Sequence, residues 1–302
     1  MASLREIRRK IKSVKSTQQI TKAMKMVSAA RMRRAQSAIL SSRPFAQRME
    51  EAVTDLAKLE VRADRAAGRE VQIHPYFDKR PAEAVGLLLV SADKGLCGSF
   101  NTNILRLAIA WLKARRAEGK KVVVVCVGRK GRDLVNRLRE DVGVEKALEL
   151  VGVFPKITFA HAELAAKPLL ERYESGELAS VTILTTEFHS VVSQKVAERP
   201  LLPIPTPDAP DGELAPSDFK FEPRREDLLS ALLPRHAKAQ IYRALLESQA
   251  SELAARMNAM DSASKNAAEL ISDLTLWMNR TRQAIITREL MEIVSGAEAL
   301  AQ

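Results

Sequence analysis

Glycine and proline are missing from both ends of this chain: neither occurs in residues 1–43, and neither occurs in residues 235–295. Proline removes an amide donor from a helix and glycine costs backbone entropy there, so their absence predicts two long terminal helices around a separate central region. Aromatic residues make up only 4% of the chain, and nine Met stand against eight Phe. The core is therefore aliphatic, which suits helices better than an all-β sandwich. Only two cysteines are present, Cys97 and Cys126, with neither a C-x-x-C nor a metal-ligand spacing. That excludes a disulfide-stapled scaffold and fits reduced thiols in the cytosol. His74, His161, His189 and His236 lie far apart in sequence, so no metal cluster and no nucleophile triad is expected. No apolar run approaches the roughly 18 residues needed to cross a bilayer. Charged and apolar residues alternate at the start instead of segregating as in a signal or transit peptide, so a membrane is expected to be reached only through another protein.

Phosphate-binding frames are missing too. "SADKGLCGSFN" follows a strand-like run but matches neither G-x-x-x-x-G-K-[ST] nor G-x-G-x-x-G, and "GRKGRD" at 128–133 offers only G-x-x-G. Both read as structural turns. No catalytic centre, cofactor or metal is expected.

Acidic residues are the scarce class at the N-terminus. Residues 1–50 hold thirteen Lys and Arg against Glu6 and Glu50, and the rest of the chain is balanced, so this segment accounts for the whole net charge of +11. The stretch "ITKAMKMVSAARMRRAQ", residues 20–36, carries Lys22, Lys25, Arg31, Arg33 and Arg34 and no acid. A local anionic partner is implied. As a nucleic-acid binder the segment has charge but almost no aromatic residues to stack on bases. As a membrane-surface helix it lacks a bulky apolar face. A solvated helix face would mix both signs, so a sheath of acidic protein explains the bias better.

Ser3 and Glu6 form an S-x-x-E capping box at the start of the first helix. Leu4, Ile7, Ile11 and Val14 repeat at helical spacing, after which the apolar seam slips and resumes at Ile20, Met24 and Val27, predicting a stutter. Pro44 is expected to kink or interrupt the helix, with the pattern recovering through Met49, Val53 and Leu56. The last helix is more regular: Leu253, Met257, Met260, Ser264, Ala267, Ile271, Leu274, Met278, Thr281 and Ile285 alternate steps of four and three. A helix of some 60 residues is about 90 Å long, so it is expected to project from any globule of this size. The nearest cover for each seam is the other helix, and the connection between them predicts an antiparallel pair.

The centre reads as α/β. "AVGLLLV" and "KKVVVVCVG" are strands around an amphipathic helix; helices follow at about 131–140 and 159–174, and then "ASVTILTTEF" and "SVVSQKVAERPL" as strands. This predicts a Rossmann-like, largely parallel sheet with an antiparallel edge. The stretch "RPLLPIPTPDAPDGELAPSDFKFEP" holds seven of the thirteen prolines. The expected division is an N-terminal coiled-coil helix over 1–60, a linker over 61–84, a central α/β domain over 85–202, a Pro-rich connection over 203–224 and a C-terminal coiled-coil helix over 225–302. The fold class is thus α/β, a long antiparallel coiled coil of the terminal helices plus a central α/β domain.

"REIRRKIKSVKSTQQITKAMKMVSAARMRRAQ" and "RMNAMDSASKNAAELISDLTLWMNRTRQAIITRELMEIVSGAEAL" closely resemble the two ends of the gamma subunit family of F-type ATP synthases. "SADKGLCGSFN" and "EPRREDLLSALLPRHAKAQIYRALLESQASELAARMNAM" extend the resemblance across the middle. It implies a rotor shaft with no active site of its own. The coiled coil would turn inside a ring of alpha and beta subunits, on a foot shared with the epsilon subunit and the membrane c-ring, coupling proton flow to ATP synthesis. Residue by residue, it implies that Met24 and Lys25 face the beta subunit's acidic lever and that Lys94 lies on a further beta-facing loop. Arg256 matches the arginine of the family's R-M-x-A-M motif on the facing helix, a further beta-subunit contact; Arg282, Gln283, Thr287 and Glu289 match the segment gripped by the beta subunit's catch loop, and Glu222 matches the c-ring-facing foot. The bland alternative for Met24, Met257 and Met260 is seam packing. No cofactor is implied, and the cysteine pair of the redox-regulated chloroplast form is absent. Without a transit peptide, the expected location is the cytoplasmic face of a bacterial membrane, as a peripheral subunit. The competing reading, from a different class, is a stand-alone basic coiled coil that binds nucleic acid.

Overall fold

The computed structural model describes residues 3–71, 73–154, 156–207, 222 and 224–301. Ten elements follow in order: α1 (Leu4–Ala66), β1 (Ala84–Val90), α2 (Phe100–Ala117), β2 (Lys121–Val127), α3 (Arg129–Val142), β3 (Val144–Leu150), α4 (Phe159–Glu174), β4 (Leu178–Phe188), β5 (Gln194–Leu202) and α5 (Arg225–Ala301). They form two compact units. One comprises Met1–Ala30 with Arg256–Gln302, and the other Arg31–Ala255.

The larger unit is built on a five-stranded sheet of order β3-β2-β1-β4-β5. Pairing is parallel from β3 through β4, with Leu87 of β1 opposite Val124 on one side and Thr182 on the other; β5 closes the edge antiparallel to β4. β1 is buried along its whole length, which is why it reads as an unbroken apolar run. Val85, Leu87 and Leu89 pack with Val122, Val124 and Cys126 of β2 against Ile104, Ala108 and Leu112 of α2. β3 is a strand that sequence reading passed over. "VEKALEL" lies at the sheet edge, only Val144 is fully buried, and charged residues interrupt its apolar positions.

α1 continues through Pro44, so of the kink or interruption expected there the interruption is absent. The proline's missing amide frees the carbonyl of Leu40, but both residues sit on an exposed stretch where water can satisfy that group. The capping box forms as expected: Ser3 N donates to Glu6 Oε2 at 2.9 Å, and Glu6 N donates to Ser3 Oγ at 3.3 Å.

The expected stutter is absent. At least half-buried positions continue from Leu4, Ile7, Ile11 and Val14 through Gln18, Thr21, Lys25 and Ser28 without losing a step. Of Ile20, Met24 and Val27, expected to resume the seam, Met24 is half-buried, but Ile20 and Val27 are 57% and 51% exposed. Heptad geometry, not side-chain polarity, sets which face turns inward, so polar residues occupy the seam and apolar ones are left outside. Every seam position expected on the last helix, from Leu253 to Ile285, is buried or half-buried.

In the smaller unit α1 and α5 run antiparallel. Lys25 meets Asp261 at 2.5 Å, and Ile7, earlier in α1, is only 1% exposed. Within this unit its cover can come only from α5 beyond Asp261, so the two helices point in opposite directions.

Candidate functional site

The Lys25 ammonium donates to Asp261 Oδ1 at 2.5 Å, and Lys265, one turn along α5, reaches Asp261 Oδ2 at 3.1 Å. The hydrogen bonds from Lys25 and then Lys265 hold the Asp261 carboxyl below its ordinary range. Two lysines around one carboxylate leave a net positive charge on the helix pair, and Met24 lies half-buried beside them. The outward faces carry apolar side chains as well. Ile20, Met26 and Val27 of α1, and Leu270, Leu276 and Trp277 of α5, are exposed. Single exposed hydrophobes are ordinary, but this density on a helix pair also rich in Lys and Arg marks a surface made to be covered.

Ile285 is the last half-buried residue of α5, and residues 286–297 are all exposed. Ile286, Leu290, Met291, Ile293 and Val294 lie in that stretch. Arg282, Gln283, Thr287 and Glu289 are exposed around the point where the seam ends. Their side chains are thus available to a partner on a helix whose own packing has stopped. Arg256 is half-buried on α5 at the start of the same unit.

The larger unit holds the other two expected contacts. Glu222 is exposed, and the Pro-rich residues 208–221 and 223 lie outside the described residues. Lys94 is exposed on the loop between β1 and α2, and that loop is firmly tied. Asp93 accepts from the amides of Arg129 and Gly152, both at 3.0 Å. Asn101 accepts from Ala92 N and donates to Lys94 O, both at 3.1 Å. Ser91 Oγ accepts from Gly131 N at 2.7 Å, and Ala92 O from Lys130 N at 3.1 Å. The first amides of α3 are therefore already satisfied by this loop, and a phosphate at "GRKGRD" would have to displace it. Gly128 adopts φ +98, where an added Cβ would lie 2.0 Å from Ser91 O. Gly128 thus serves chain packing, as does Gly131, where an added Cβ would lie 3.0 Å from Ser91 Oγ.

Burial pushes the Cys126 thiol up to about 12, and Cys97 is buried too. Among the described residues no group of three or more His, Cys, Asp or Glu converges as a metal site, and no helix is long and apolar enough to cross a membrane. Sequence reading singled out Lys25 but not its partner. Asp261 and Lys265 stand four apart in "DSASK", a spacing that places both on one helix face.

A family model described as ATP synthase matches residues 3–300. The ATP synthase gamma chain of Anaeromyxobacter sp. (strain Fw109-5) is 50% identical over 301 residues, covering 99% of this chain and 100% of that one. Among solved structures, the central stalk and c-ring assembly of the Tetrahymena thermophila mitochondrial ATP synthase contains a similar chain. It is 26% identical with a TM-score of 0.58, covering 81% of this chain and 99% of that one. A chain of the Euglena gracilis mitochondrial ATP synthase shares the fold at 20% identity and a TM-score of 0.65, covering 98% of this chain and 94% of that one.

Proposed function

The chain belongs to the family of ATP synthase gamma chains, and on that premise we propose that its paired terminal helices are the rotating axle of the complex. It is a non-catalytic subunit, with ATP made and hydrolysed in the beta subunits, and it couples proton flow to that chemistry as the central shaft. The partners in this reading are an alpha–beta ring around the helix pair, and the epsilon subunit and c-ring at the foot. The chain would sit peripherally on the cytoplasmic side of a bacterial membrane, reaching the bilayer only through the c-ring.

The observation that carries the reading is the surface of the smaller unit. One helix carries Glu6 as its single acid over residues 1–30, and the other ends in an exposed stretch over 286–297. A ring of acidic and apolar protein would cover both. Met24 and Lys25 would meet the beta subunit's acidic lever, with Lys25 shared between that lever and Asp261. Arg282, Gln283, Thr287 and Glu289 would be gripped by each beta subunit in turn as the axle rotates, and Arg256 would contact the beta subunit from the facing helix. An arginine suits that task, because its planar fork binds a carboxylate with direction yet releases it. Lys94 would be a further beta-facing contact, and Glu222 would face the c-ring. The need for an axle follows from energetics. One charge crossing 100 mV releases about 2.3 kcal/mol, too little for one ATP, so several steps must be summed by a stiff element.

Co-purification of the chain with alpha and beta subunits, with the mass of the assembly measured, tests this reading. A stable complex carrying one copy of the chain is the expected result. Tight DNA binding with a steep salt dependence, and no association with the ring, would favour the nucleic-acid alternative instead.

A further inference from the structure

A helix on a protein surface buries one stripe, yet in α5 every residue from 244 to 254 is buried. Several of these are polar: Glu247, Ser248, Gln249, Ser251 and Glu252. We propose that this segment is the joint through which the α/β domain drives the shaft, with Glu247 as its positioning residue. The inference rests on the rotary reading and deepens it.

Three kinds of bond fasten the helix to the sheet. Arg199 of β5 donates through Nη2 to Glu247 Oε2 at 3.3 Å and through Nε to Glu187 Oε1 of β4 at 2.6 Å. Arg243, one turn before Glu247, donates to its other oxygen at 2.9 Å. Thr185 Oγ1 of β4 donates to the carbonyl of Ala244 at 3.2 Å, and Ser251 Oγ donates back to the carbonyl of Thr186, also at 3.2 Å. Gln249 adds a bond to the carbonyl of Phe154, in the segment between β3 and α4. Strand and helix therefore exchange hydrogen bonds in both directions, and a charged relay of Glu187, Arg199, Glu247 and Arg243 runs alongside.

The choice of polar contacts here has a mechanical meaning. Apolar surfaces attract without direction and can slide past one another at little cost. Hydrogen bonds weaken steeply with misalignment, and a buried carboxylate pulled from its arginine is left uncompensated. A helix tied in this way cannot turn or shift along the sheet without breaking several such bonds together. Since the same helix continues to Ala301, a torque applied to the α/β domain enters α5 at this joint.

The experiment uses membrane vesicles holding the complete complex with this chain, measuring ATP hydrolysis and ATP-driven proton uptake on the same sample. In Glu247→Gln the chain stays in the complex and hydrolysis persists, while protons taken up per ATP hydrolysed fall several-fold. Arg199→Lys, which keeps the charge but loses the fork, gives a smaller loss. An unchanged ratio alongside a lower melting temperature would make Glu247 a packing residue and overturn the proposal. Should Glu247→Gln not enter the complex, Arg199→Lys and the near-isosteric Thr185→Val decide, and an unaltered ratio in both overturns it. A wild-type chain that neither assembles nor couples would instead sink the rotary reading beneath it.

Discussion

Asp261 shows how much one side chain can do at a helix pair. Lys25 and Lys265 donate to it and depress its pKa, so the folded state gains stability from the ionised form. A carboxyl depressed on folding contributes that stability above its unfolded pKa, and loses it as pH falls through the folded value. The helix pair should therefore loosen in acid, below about pH 4. Thermal melting by circular dichroism between neutral and acid pH should show a steeper fall for the wild type than for Asp261→Asn. Parallel curves would mean the pair contributes nothing. Lys25 itself was legible as a charged position on the helix, but its partner lies far away in sequence. Only the antiparallel pairing brings Lys25 and Asp261 together.

At the scale of the element, the terminal helices were readable because breakers are absent and the seam repeats. The seam of α5 was read correctly from Leu253 to Ile285, since most of its positions are apolar or small. That of α1 was misread beyond Val14. Gln18, Thr21, Lys25 and Ser28 fill the inward positions, and a search for apolar residues drifts onto Ile20 and Val27 outside. Polar seam positions weaken a coil while restricting its register. Replacing Thr21 by Val and Ser28 by Ala should accordingly stabilise the smaller unit by about 1 kcal/mol, seen as a melting temperature raised by a few degrees. A lowered value would show that the hydroxyls hold the seam; Thr21 Oγ1 does donate to Gln18 O at 3.0 Å. Strand β3 escaped notice for the converse reason. An edge strand has little burial to enforce alternation, so its charged residues conceal it.

At the scale of the whole molecule, function depends on surfaces left for partners to cover. Replacing Arg282 and Gln283 together by Ala should leave the isolated chain folded, because both side chains are exposed on α5. Coupled ATP synthesis by vesicles carrying that variant should nevertheless fall, by about tenfold if a bidentate arginine contact is lost. Wild-type coupling would remove these residues from the proposed grip. The amino-acid sequence alone determined the two long terminal helices, the largely parallel sheet, the local excess of positive charge and the absence of a nucleotide-binding frame. Those properties depend on short-range spacing and composition, which a linear string displays directly. Tertiary structure alone decided which carboxylate meets Lys25, which polar residues occupy the seam, and that the glycines beside Ser91 serve a tied loop. It also decided that Glu247 is buried between two arginines. Each of these is a contact between segments distant in sequence, so its energy depends on a three-dimensional neighbour that no local pattern names.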